Sequence, residues 1–307
     1  MTGDHDELRA PMAALAAEVL PSDAIIDTRS QAGLHSLNNT ILFAESRSSI
    51  SRYVIRLPSR GTAAALGIRR EEEAAAIEAA AASGITPPPL GMDAHGIIIS
   101  PFLAAQRQWV GTDWVSTDHG QRGVDLVRSL LATRPSEGDV LPSTFERISR
   151  MMDGARSAGS SLPEEAALRR RLERIATERT ADDRYPPCLA HHDVWANNII
   201  DDGEQLWLVD YEFAGVGDGW YDLATIVTEA GIGADRTAAF LRSVGRSGEA
   251  EDLRALEQGK WLLHLFEAVW ATIMAAKGTI RLHHGESFDY HAHAQNMWSW
   301  LLNNMTP

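Results

Sequence analysis

The first hundred residues alternate short apolar segments with turn residues. Residues 6–20 carry apolar side chains at helical spacing, which predicts a short helix. Three segments that are β-branched or alternate in polarity follow it: 25–30 (IIDTRS), 38–45 (NNTILFAE) and 51–58 (SRYVIRLP). A further segment, 95–103 (HGIIISPFL), is expected to form a strand that ends at its proline. Such segments, separated by turns, predict an antiparallel sheet.

One helix is expected between these strands. Residues 69–82 read RREEEAAAIEAAAA, and alanine and glutamate are strong helix formers. Gly84 and Pro87 follow directly and are expected to end the helix. The first part of the chain is therefore predicted to be a small sheet with a helix beside it.

From about residue 110 the pattern is mainly helical. Helices are predicted at 120–134, 143–157, 163–180, 221–230, 235–245, 250–276 and 286–303. Two short apolar strands, 188–192 (CLAHH) and 205–212 (QLWLVDYE), are expected to form one β-hairpin. The chain is thus expected to be an α+β protein, with a small antiparallel-sheet lobe at 1–103 and a mostly helical lobe at 104–307.

Composition narrows the possible partners. The chain has 307 residues and a formal net charge of −14. This charge argues against a general nucleic-acid binder, which needs a basic face to meet phosphates, and it favours cationic or neutral small molecules. Cys188 is the only cysteine, so an internal disulfide is excluded, and its apolar neighbours predict a buried position.

No segment of the sequence is predicted to be a signal peptide or to span a membrane. Residues 1–11 are acidic and lack the pattern of a signal peptide. The most apolar helical run, 261–276, contains His264 and Glu267 and is too short to span a bilayer. A cytoplasmic protein without a membrane partner is expected.

The strongest candidate chemistry lies in AHHDVWANN (190–198) and just beyond it. Asp193 is followed five residues later by Asn198, and Asp210 follows the strand-like LWLV (206–209). Phosphoryl transfer needs a carboxylate that orients the attacking hydroxyl and accepts its proton, and oxygen ligands that hold Mg²⁺. The pattern predicts Asp193 as the base and Asn198 and Asp210 as the metal ligands.

Three alternatives to a phosphoryl-transfer site are a chance pattern, a histidine metal site and a serine hydrolase. His-x-Asp with an asparagine five residues on also occurs by chance in turns. Four histidines near the C-terminus (His283, His284, His291 and His293) could suggest a metal site. Histidines two apart on a helix face different directions, which argues against that site. A serine hydrolase is not supported, because the chain has no G-x-S-x-G elbow.

The segment 188–224 (CLAHHDVWANNIIDDGEQLWLVDYEFAGVGDGWYDLA) resembles the catalytic segment of the aminoglycoside phosphotransferase and choline/ethanolamine kinase superfamily. That superfamily has an H-x-D-x₄-N loop, a D-[FWY]-E metal strand and a Y-D-L-A helix start, and all three are present here in order. The resemblance is closest to the bacterial choline kinase-like branch. It implies a protein-kinase-like two-lobed fold that uses ATP and Mg²⁺. It also implies a scaffold role for His191, directed towards Asp222, and leaves His192 without a role.

The resemblance also implies a nucleotide site in the first lobe. GLHSLNN (33–39) keeps Gly33 of the family's nucleotide loop but differs at His35 and Ser36. Arg56 stands on the strand that carries the phosphate-binding cation, where arginine offers a planar fork to phosphate oxygens. Glu73 is expected to pair with Arg56, although its neighbours Glu71 and Glu72 could take that place.

The hinge strand and the acceptor pocket follow from the same resemblance. The backbone near Ser100, Phe102 and Leu103 is expected to meet the adenine. The residues expected to contact the phosphate acceptor are Glu212, Glu267, Trp270 and Tyr290. Where choline kinases tend to have two tryptophans three residues apart, this chain has Glu267 and Trp270. A carboxylate in place of one aromatic wall suits a primary or secondary amine at least as well as a trimethylammonium.

Taken together, these residues predict an ATP- and Mg²⁺-dependent kinase that phosphorylates a hydroxyl of a cationic small molecule. Choline, ethanolamine or a related amino alcohol is the expected acceptor. An aminoglycoside phosphotransferase is the alternative, and a catalytically silent nucleotide-binding regulator is a further one. A monomer or homodimer is expected.

Overall fold

The computed structural model describes residues 7–27, 39–58, 63–136, 138, 140–182, 184–277, 279–281 and 287–305. Within them, an antiparallel sheet with the order β1-β2-β3-β5-β4 forms the first part of the molecule. Its strands are β1 (Ala24–Asp27), β2 (Asn39–Ser46), β3 (Arg52–Pro58), β4 (Gly91–Met92) and β5 (Ile98–Pro101). Helix α1 (Arg9–Val19) precedes the sheet, and α2 (Arg70–Ala82) lies between β3 and β4.

The two faces of this sheet have different partners. Ile55 and Leu57 of β3 are fully buried in a core that includes Met12 and Leu15 of α1. Successive side chains of a strand point to opposite faces, so Arg56 between them faces away from α1. The alternation along β3 therefore places the buried Arg56 on the inner face of the sheet.

The second part is built mainly from helices. Its helices are α3 (Gly120–Ala132), α4 (Thr144–Ser157), α5 (Glu165–Thr180), α6 (Trp220–Glu229), α7 (Ala234–Ser243), α8 (Ala250–Met274) and α9 (Tyr290–Asn303). Short strands lie between them: β6 (Arg107–Gln108), β7 (Cys188–Ala190), β8 (Ile199–Asp201), β9 (Leu206–Leu208), β10 (Gly215–Gly217), β11 (Thr279–Arg281) and β12 (Ser287–Asp289). The predicted α+β class, with a small antiparallel sheet followed by a helical part, is confirmed, whereas the boundary at residue 103 stays a prediction.

The predicted hairpin around the polar motif is wrong. The segments 188–192 and 205–212 do not pair with each other; β7 pairs with β10 and β9 pairs with β8. The reason is the Asp202–Gly203 turn, in which Gly203 has φ +93° and Asp202 Oδ1 accepts from Gln205 N at 2.8 Å. An Asp-Gly pair favours a tight hairpin, so the hairpin forms inside the motif, between Asn198 and Asp210.

The last helix begins later than predicted, because residues 287–289 form β12. Asp289 then caps α9, accepting hydrogen bonds from His291 N at 2.9 Å and Ala292 N at 3.1 Å. A carboxylate at this position satisfies amide groups that the first helical turn leaves free. The cap fixes where α9 starts and thus which of its side chains face α8.

Behind the sheet, Arg147 of α4 joins the two parts. Its side chain is buried and donates to Glu72 Oε2 at 3.0 Å, to Gly67 O at 3.0 Å and to Ala214 O at 2.8 Å. Breaking a buried ion pair on one side typically costs about 3–5 kcal/mol. Arg147 therefore anchors α2 to the helical part.

The predicted burial of Cys188 in β7 is confirmed, and burial raises the pKa of its thiol to about 12. Among the described residues, no helix is both long and apolar enough to span a bilayer.

Candidate active site

Two cavities meet beside the motif 190–198. The larger one, of about 880 Å³, lies between the sheet and the helical part. The smaller one, of about 290 Å³, lies against α8 and α9. Asn197, Asn198 and Asp210 line both cavities. The point where the cavities meet is therefore formed by the residues for which the sequence predicts chemistry.

Asp222 holds the start of the motif in place. This residue is buried in the first turn of α6, and its two carboxylate oxygens accept hydrogen bonds from His191 N at 2.9 Å and His192 N at 2.8 Å. Burial raises the pKa of Asp222 to about 7, against the opposing effect of the two amide donors. Asp222 thus lies behind the loop, where the scaffold prediction expects it.

The contact between His191 and Asp222 uses the backbone of His191. Its imidazole ring points elsewhere: Nε2 is 3.1 Å from Val209 O, and the ring packs edge-on against Tyr211 at 4.5 Å between centroids. Burial lowers the pKa of His191 to about 3, so the ring is neutral at physiological pH. His191 consequently ties the motif to the segment just before Asp210.

His192, for which the sequence indicates no role, is a second tie. Its backbone has φ +62°, a left-handed conformation that glycine adopts most readily. Its Nδ1 is 2.9 Å from Phe213 O and its Nε2 is 2.8 Å from Thr144 Oγ1. Because a carbonyl can only accept, Nδ1 carries the proton and Nε2 accepts from the threonine hydroxyl. Burial lowers the pKa of His192 to about 4.

Asp193 lines the smaller cavity and is oriented by Asn198. Asn198 Nδ2 donates to Asp193 Oδ2 at 2.7 Å and to Asp193 O at 2.9 Å. Burial is the main cause that raises the pKa of Asp193 well above its usual range, and the negative charges of Asp210 and Glu267 add to it. The arrangement leaves Oδ1 of Asp193 available to a ligand hydroxyl.

Asp210 follows β9 in a left-handed conformation with φ +70°. Its Oδ1 is buried without a hydrogen-bond partner among the described residues, and it is 3.1 Å from Arg56 Nη2. Burial raises the pKa of Asp210 to about 7, while Arg56 acts in the opposite direction. An under-satisfied buried carboxylate oxygen is the kind of group that a divalent cation would stabilise.

Arg56 is the centre of a buried charge network. Its Nη1 donates to Glu73 Oε1 at 2.5 Å and its Nη2 donates to Glu212 Oε2 at 2.9 Å. These carboxylates raise the pKa of Arg56 above its usual value and outweigh its burial. Glu73 is also bound by Arg70 at 2.7 Å.

The structure distinguishes the three adjacent glutamates of α2. Glu73 faces Arg56, Glu72 is bound by Arg147 and Arg150 on the far side, and Glu71 is exposed. The residue that sequence reasoning chose is therefore the one that faces the predicted cation.

Two carboxylate sets could hold a metal. Glu73, Asp210 and Glu212 have ligand atoms within 4.8 Å of one another. Glu73 and Glu212 accept hydrogen bonds from Arg56, whereas Asp210 Oδ1 lies 3.1 Å from Arg56 Nη2 without accepting one. Asn198 and Asp210 are the better pair, because Val209 N donates to Asn198 O at 3.0 Å and brings them together. The amide oxygen of Asn198 and Oδ1 of Asp210, which accepts no hydrogen bond from the described residues, fit the hard oxygen ligands that Mg²⁺ prefers.

Ser100, Phe102 and Leu103 line the larger cavity, as do apolar side chains from the sheet and α2. Phe102 N donates to Arg52 O at 3.0 Å. Arg52 and Phe102 therefore form a hydrogen-bonded pair that extends the ladder between β3 and β5. Hydrogen-bonded and non-bonded pairs alternate in an antiparallel ladder. The carbonyl of Pro101, opposite Tyr53, therefore points away from β3.

The smaller cavity brings together three of the four residues predicted to contact an acceptor. Glu212, Glu267 and Trp270 line it, but Tyr290 is not among its lining residues. Tyr290 is fully buried, with its ring 5.5 Å from that of Trp270. Its place in the structure is behind the aromatic wall.

Several lining residues were not found from the sequence. These are Trp195, Phe213, Phe266, Phe288 and His293. His293 Nε2 is 3.0 Å from Glu267 Oε2. The sequence carries no local signal for this contact, because Glu267 and His293 lie on two different helices, 26 residues apart.

Two groups of predicted residues lie outside the described part of the chain. They are Gly33, with most of its loop, and His283 and His284. His291 is exposed at the start of α9.

A sheet-and-helix lobe, a helical lobe and a cleft between them that is lined by an Asp-Asn-Asp constellation define the protein-kinase-like class of phosphotransferases. The comparisons with known proteins agree. A model of the phosphotransferase enzyme family matches residues 31–262. The chain therefore belongs to this family, which confirms the prediction of a phosphotransferase.

Solved structures with the same fold include kinases of small molecules. A choline/ethanolamine kinase family protein from Mesorhizobium loti is 21% identical, with 98% of this chain and 95% of that chain covered and a TM-score of 0.67. Choline kinase LicA from Streptococcus pneumoniae is 16% identical, with 97% and 99% covered and a TM-score of 0.70. The streptomycin–ATP–APH(2″)-IIa ternary complex is 14% identical, with 99% and 97% covered and a TM-score of 0.55. Among curated protein sequences, none matches the chain.

Proposed function

We propose that this protein is an ATP- and Mg²⁺-dependent kinase that transfers the γ-phosphoryl group to a hydroxyl of a small amino alcohol. The observation that carries the proposal is the position of Asp193. Its carboxylate lines the smaller cavity at the point where Asn198 and Asp210 open onto the larger one. A nucleotide in one cavity and an alcohol in the other would meet there.

Asp193 is the proposed base. The acceptor hydroxyl donates to its carboxylate, and the hydroxyl oxygen forms a bond to the γ-phosphorus. The bond from that phosphorus to the β–γ bridging oxygen breaks, and the proton passes to Asp193. Burial raises the pKa of Asp193, which makes its carboxylate a stronger proton acceptor than an ordinary aspartate. Asn198 holds the carboxylate in this orientation through Nδ2.

Asn198 and Asp210 are the proposed Mg²⁺ ligands. When bound there, Mg²⁺ neutralises phosphate charge during transfer. Among the described residues, Oδ1 of Asp210 accepts no hydrogen bond although it lies 3.1 Å from Arg56, which supports this assignment.

The larger cavity is the proposed ATP site. Arg56, held by Glu73 and Glu212, would bind phosphate oxygens, and Gly33 would belong to the loop that covers them. Adenine has a donor and an acceptor side by side on one edge. In the hinge segment 100–103, the carbonyl of Pro101 and the N–H of Leu103 offer the complementary acceptor and donor. This pattern favours ATP over GTP.

The smaller cavity is the proposed acceptor site. Aromatic side chains and several carboxylates line it, a combination that attracts a cationic headgroup. Its volume of about 290 Å³ lies at the lower end of the range for ligand pockets, roughly 300–1,000 Å³. Choline, ethanolamine and related amino alcohols fit this size better than an aminoglycoside does. Tyr290 would act indirectly, by supporting Trp270.

The alternatives differ in what they would phosphorylate. An aminoglycoside phosphotransferase draws support from the net charge of −14, which would also attract polyamines. A silent regulator would have no need for Asp193, Asn198 and Asp210 together. A cytoplasmic location and a monomeric or homodimeric state remain predictions.

An ADP-release assay tests the proposal. The purified protein is supplied with ATP and Mg²⁺ and, in turn, with ethanolamine, choline, other amino alcohols and aminoglycosides, and the product is identified by mass spectrometry. We expect a phosphorylated amino alcohol, loss of activity on chelation of Mg²⁺, and slower turnover with GTP. Turnover of aminoglycosides alone would support the alternative, and phosphorylation of no acceptor would contradict the proposal.

A further inference from the structure

The smaller cavity contains a carboxylate–histidine pair that the proposed mechanism does not use. Glu267 of α8 and His293 of α9 both line the cavity, and His293 Nε2 is 3.0 Å from Glu267 Oε2. Their side chains are 15% and 27% exposed, respectively. The pair is thus shielded from bulk water but remains accessible from the cavity.

The bond to His293 occupies only one oxygen of Glu267. Within the part of the chain that the structure describes, Oε1 has no hydrogen-bond partner, and it is not enclosed by protein. A carboxylate held at one oxygen by a donor keeps its other oxygen as an acceptor. Oε1 is therefore available to a donor on a ligand.

Aromatic rings fix the histidine that holds Glu267. The centroid of the His293 ring is 5.4 Å from that of Phe288 and 6.1 Å from that of Trp270. Those two rings are themselves 6.1 Å apart, so the imidazole packs against one side of the pair. This packing, together with the hydrogen bond to Oε2, orients the Glu267 carboxylate before any ligand binds.

Aromatic faces and a carboxylate discriminate between ammonium groups in different ways. The faces attract any ammonium, whether methylated or not. A fixed carboxylate oxygen additionally accepts a charge-assisted hydrogen bond, but only from an ammonium that still has an N–H. A trimethylammonium has none, so it leaves the buried acceptor without a partner.

We propose that Glu267, positioned by His293, selects amino alcohols whose ammonium group carries at least one N–H and discriminates against quaternary ammonium alcohols. This inference rests on the proposed function and specifies its substrate class. We assign His293 a positioning role, since its Nε2 is directed at Glu267 Oε2. One charge-assisted hydrogen bond corresponds to a preference of about 10- to 100-fold in kcat/KM.

A methylation series isolates this hydrogen bond. Ethanolamine and its mono-, di- and trimethylated derivatives keep the same hydroxyl and spacing, while the number of N–H groups falls from three to zero. We expect a drop of at least about 10-fold in kcat/KM between the dimethyl and the trimethyl compound, mainly in KM. A flat series, or one that rises with methylation, would overturn the inference while leaving the proposed kinase function intact.

Two substitutions of His293 test its positioning role. His293→Gln keeps an N–H donor towards Glu267, so it should retain the drop in kcat/KM between the dimethyl and the trimethyl compound. His293→Leu should reduce this drop to less than about 3-fold. An unchanged KM for ATP shows that each variant is folded. An undiminished drop in His293→Leu would contradict the role of His293. If the unaltered protein phosphorylated none of the four compounds, the proposed function would be overturned as well.

Discussion

The two cavities are built in different ways although they share Asn198 and Asp210. The larger one is lined by residues of the sheet and α2, most of them apolar, and Arg56 is held there by Glu73 and Glu212. The smaller one is lined by residues of the motif, α8 and the start of α9, several of them aromatic or acidic. Residues of the sheet also carry the pairing of the strands, whereas the residues of α8 and α9 that face the smaller cavity do not. A substitution in the smaller cavity can therefore change the acceptor without disturbing the sheet.

The largest expected effect lies where the cavities meet. Asp193→Asn keeps the size of the side chain and its contact with Asn198 but removes the base. We expect turnover to fall by about 10²–10⁴-fold, with little change in the KM for either substrate. Steady-state kinetics measure this, with the exposed Asp125→Asn of α3 as the control. Near-normal turnover would show that Asp193 is not the base.

Of the two substrates, a change in the larger cavity should affect mainly the nucleotide. Arg56→Met removes charge-assisted bonds worth about 1.5–3 kcal/mol each, so we expect the KM for ATP to rise by about 10- to 100-fold. The uncompensated Glu73 and Glu212 should also lower the free energy of unfolding by about 3–5 kcal/mol. Kinetics and denaturant unfolding report the two effects, with Arg128→Met on the surface of α3 as the control. An equal rise in the KM for the acceptor would show that Arg56 does not act specifically on the nucleotide.

A change in the smaller cavity should affect only the acceptor. Trp270→Leu removes one aromatic wall, and a cation–π contact contributes about 0.5–2 kcal/mol. We expect the KM for the acceptor to rise by about 2- to 30-fold, with the KM for ATP unchanged. Trp298→Leu is the matched control, because Trp298 of α9 bonds Thr272 at 2.9 Å and does not line the cavity. A larger effect from Trp298 would mean that packing of the helices, not the aromatic wall, sets acceptor affinity.

The last expected effect is on stability and not on catalysis, and it concerns the loop 190–198 between the two cavities. The folded-state pKa of His192 is lowered to about 4, below the value of about 6.5 in an unfolded chain. As pH falls below 6.5 the unfolded chain binds a proton that the folded protein does not, so stability is lost from there down to about pH 4. The loss is about 1.4 kcal/mol per pH unit for this histidine.

His192→Asn tests this dependence, because asparagine tolerates the left-handed backbone at this position. We expect the variant to be less stable at pH 7 but to lose stability less steeply between pH 6.5 and 4.5. Chemical unfolding of both proteins across this range measures the difference in slope. Equal slopes would show that His192 is not the buried neutral group that the structure indicates.

Much of the architecture was accessible from periodicity. Apolar spacing predicted the sheet and the long helices, because core faces repeat every 2 or 3.6 residues along strands and helices. The helix α2 was predicted from its alanine and glutamate content. The hairpin around the motif was placed wrongly, since strand pattern alone does not state which strands pair. The Asp202–Gly203 turn is the local feature that specifies the pairing of β8 with β9. The start of α9 was also missed, because the cap at Asp289 depends on geometry and not on hydrophobicity.

The residues near the motif illustrate the same limit. Asp193, Asn198 and Asp210 could be chosen in advance, because phosphoryl transfer requires a few oxygen-bearing groups at a definite spacing along one segment. His192 and His293 could not be assigned in this way. Their partners, Phe213 and Thr144 for one and Glu267 for the other, come from elements brought together only by folding.

Residue types and local spacing were thus sufficient for the α+β class, the phosphotransferase family resemblance and the candidate base, since each depends on short-range order along the chain. Tertiary structure decided which glutamate of α2 meets Arg56 and how the two strands of the motif find their partners. It also decided which side chains surround the acceptor. These are contacts between residues distant in sequence, and their geometry follows from the packing of whole elements.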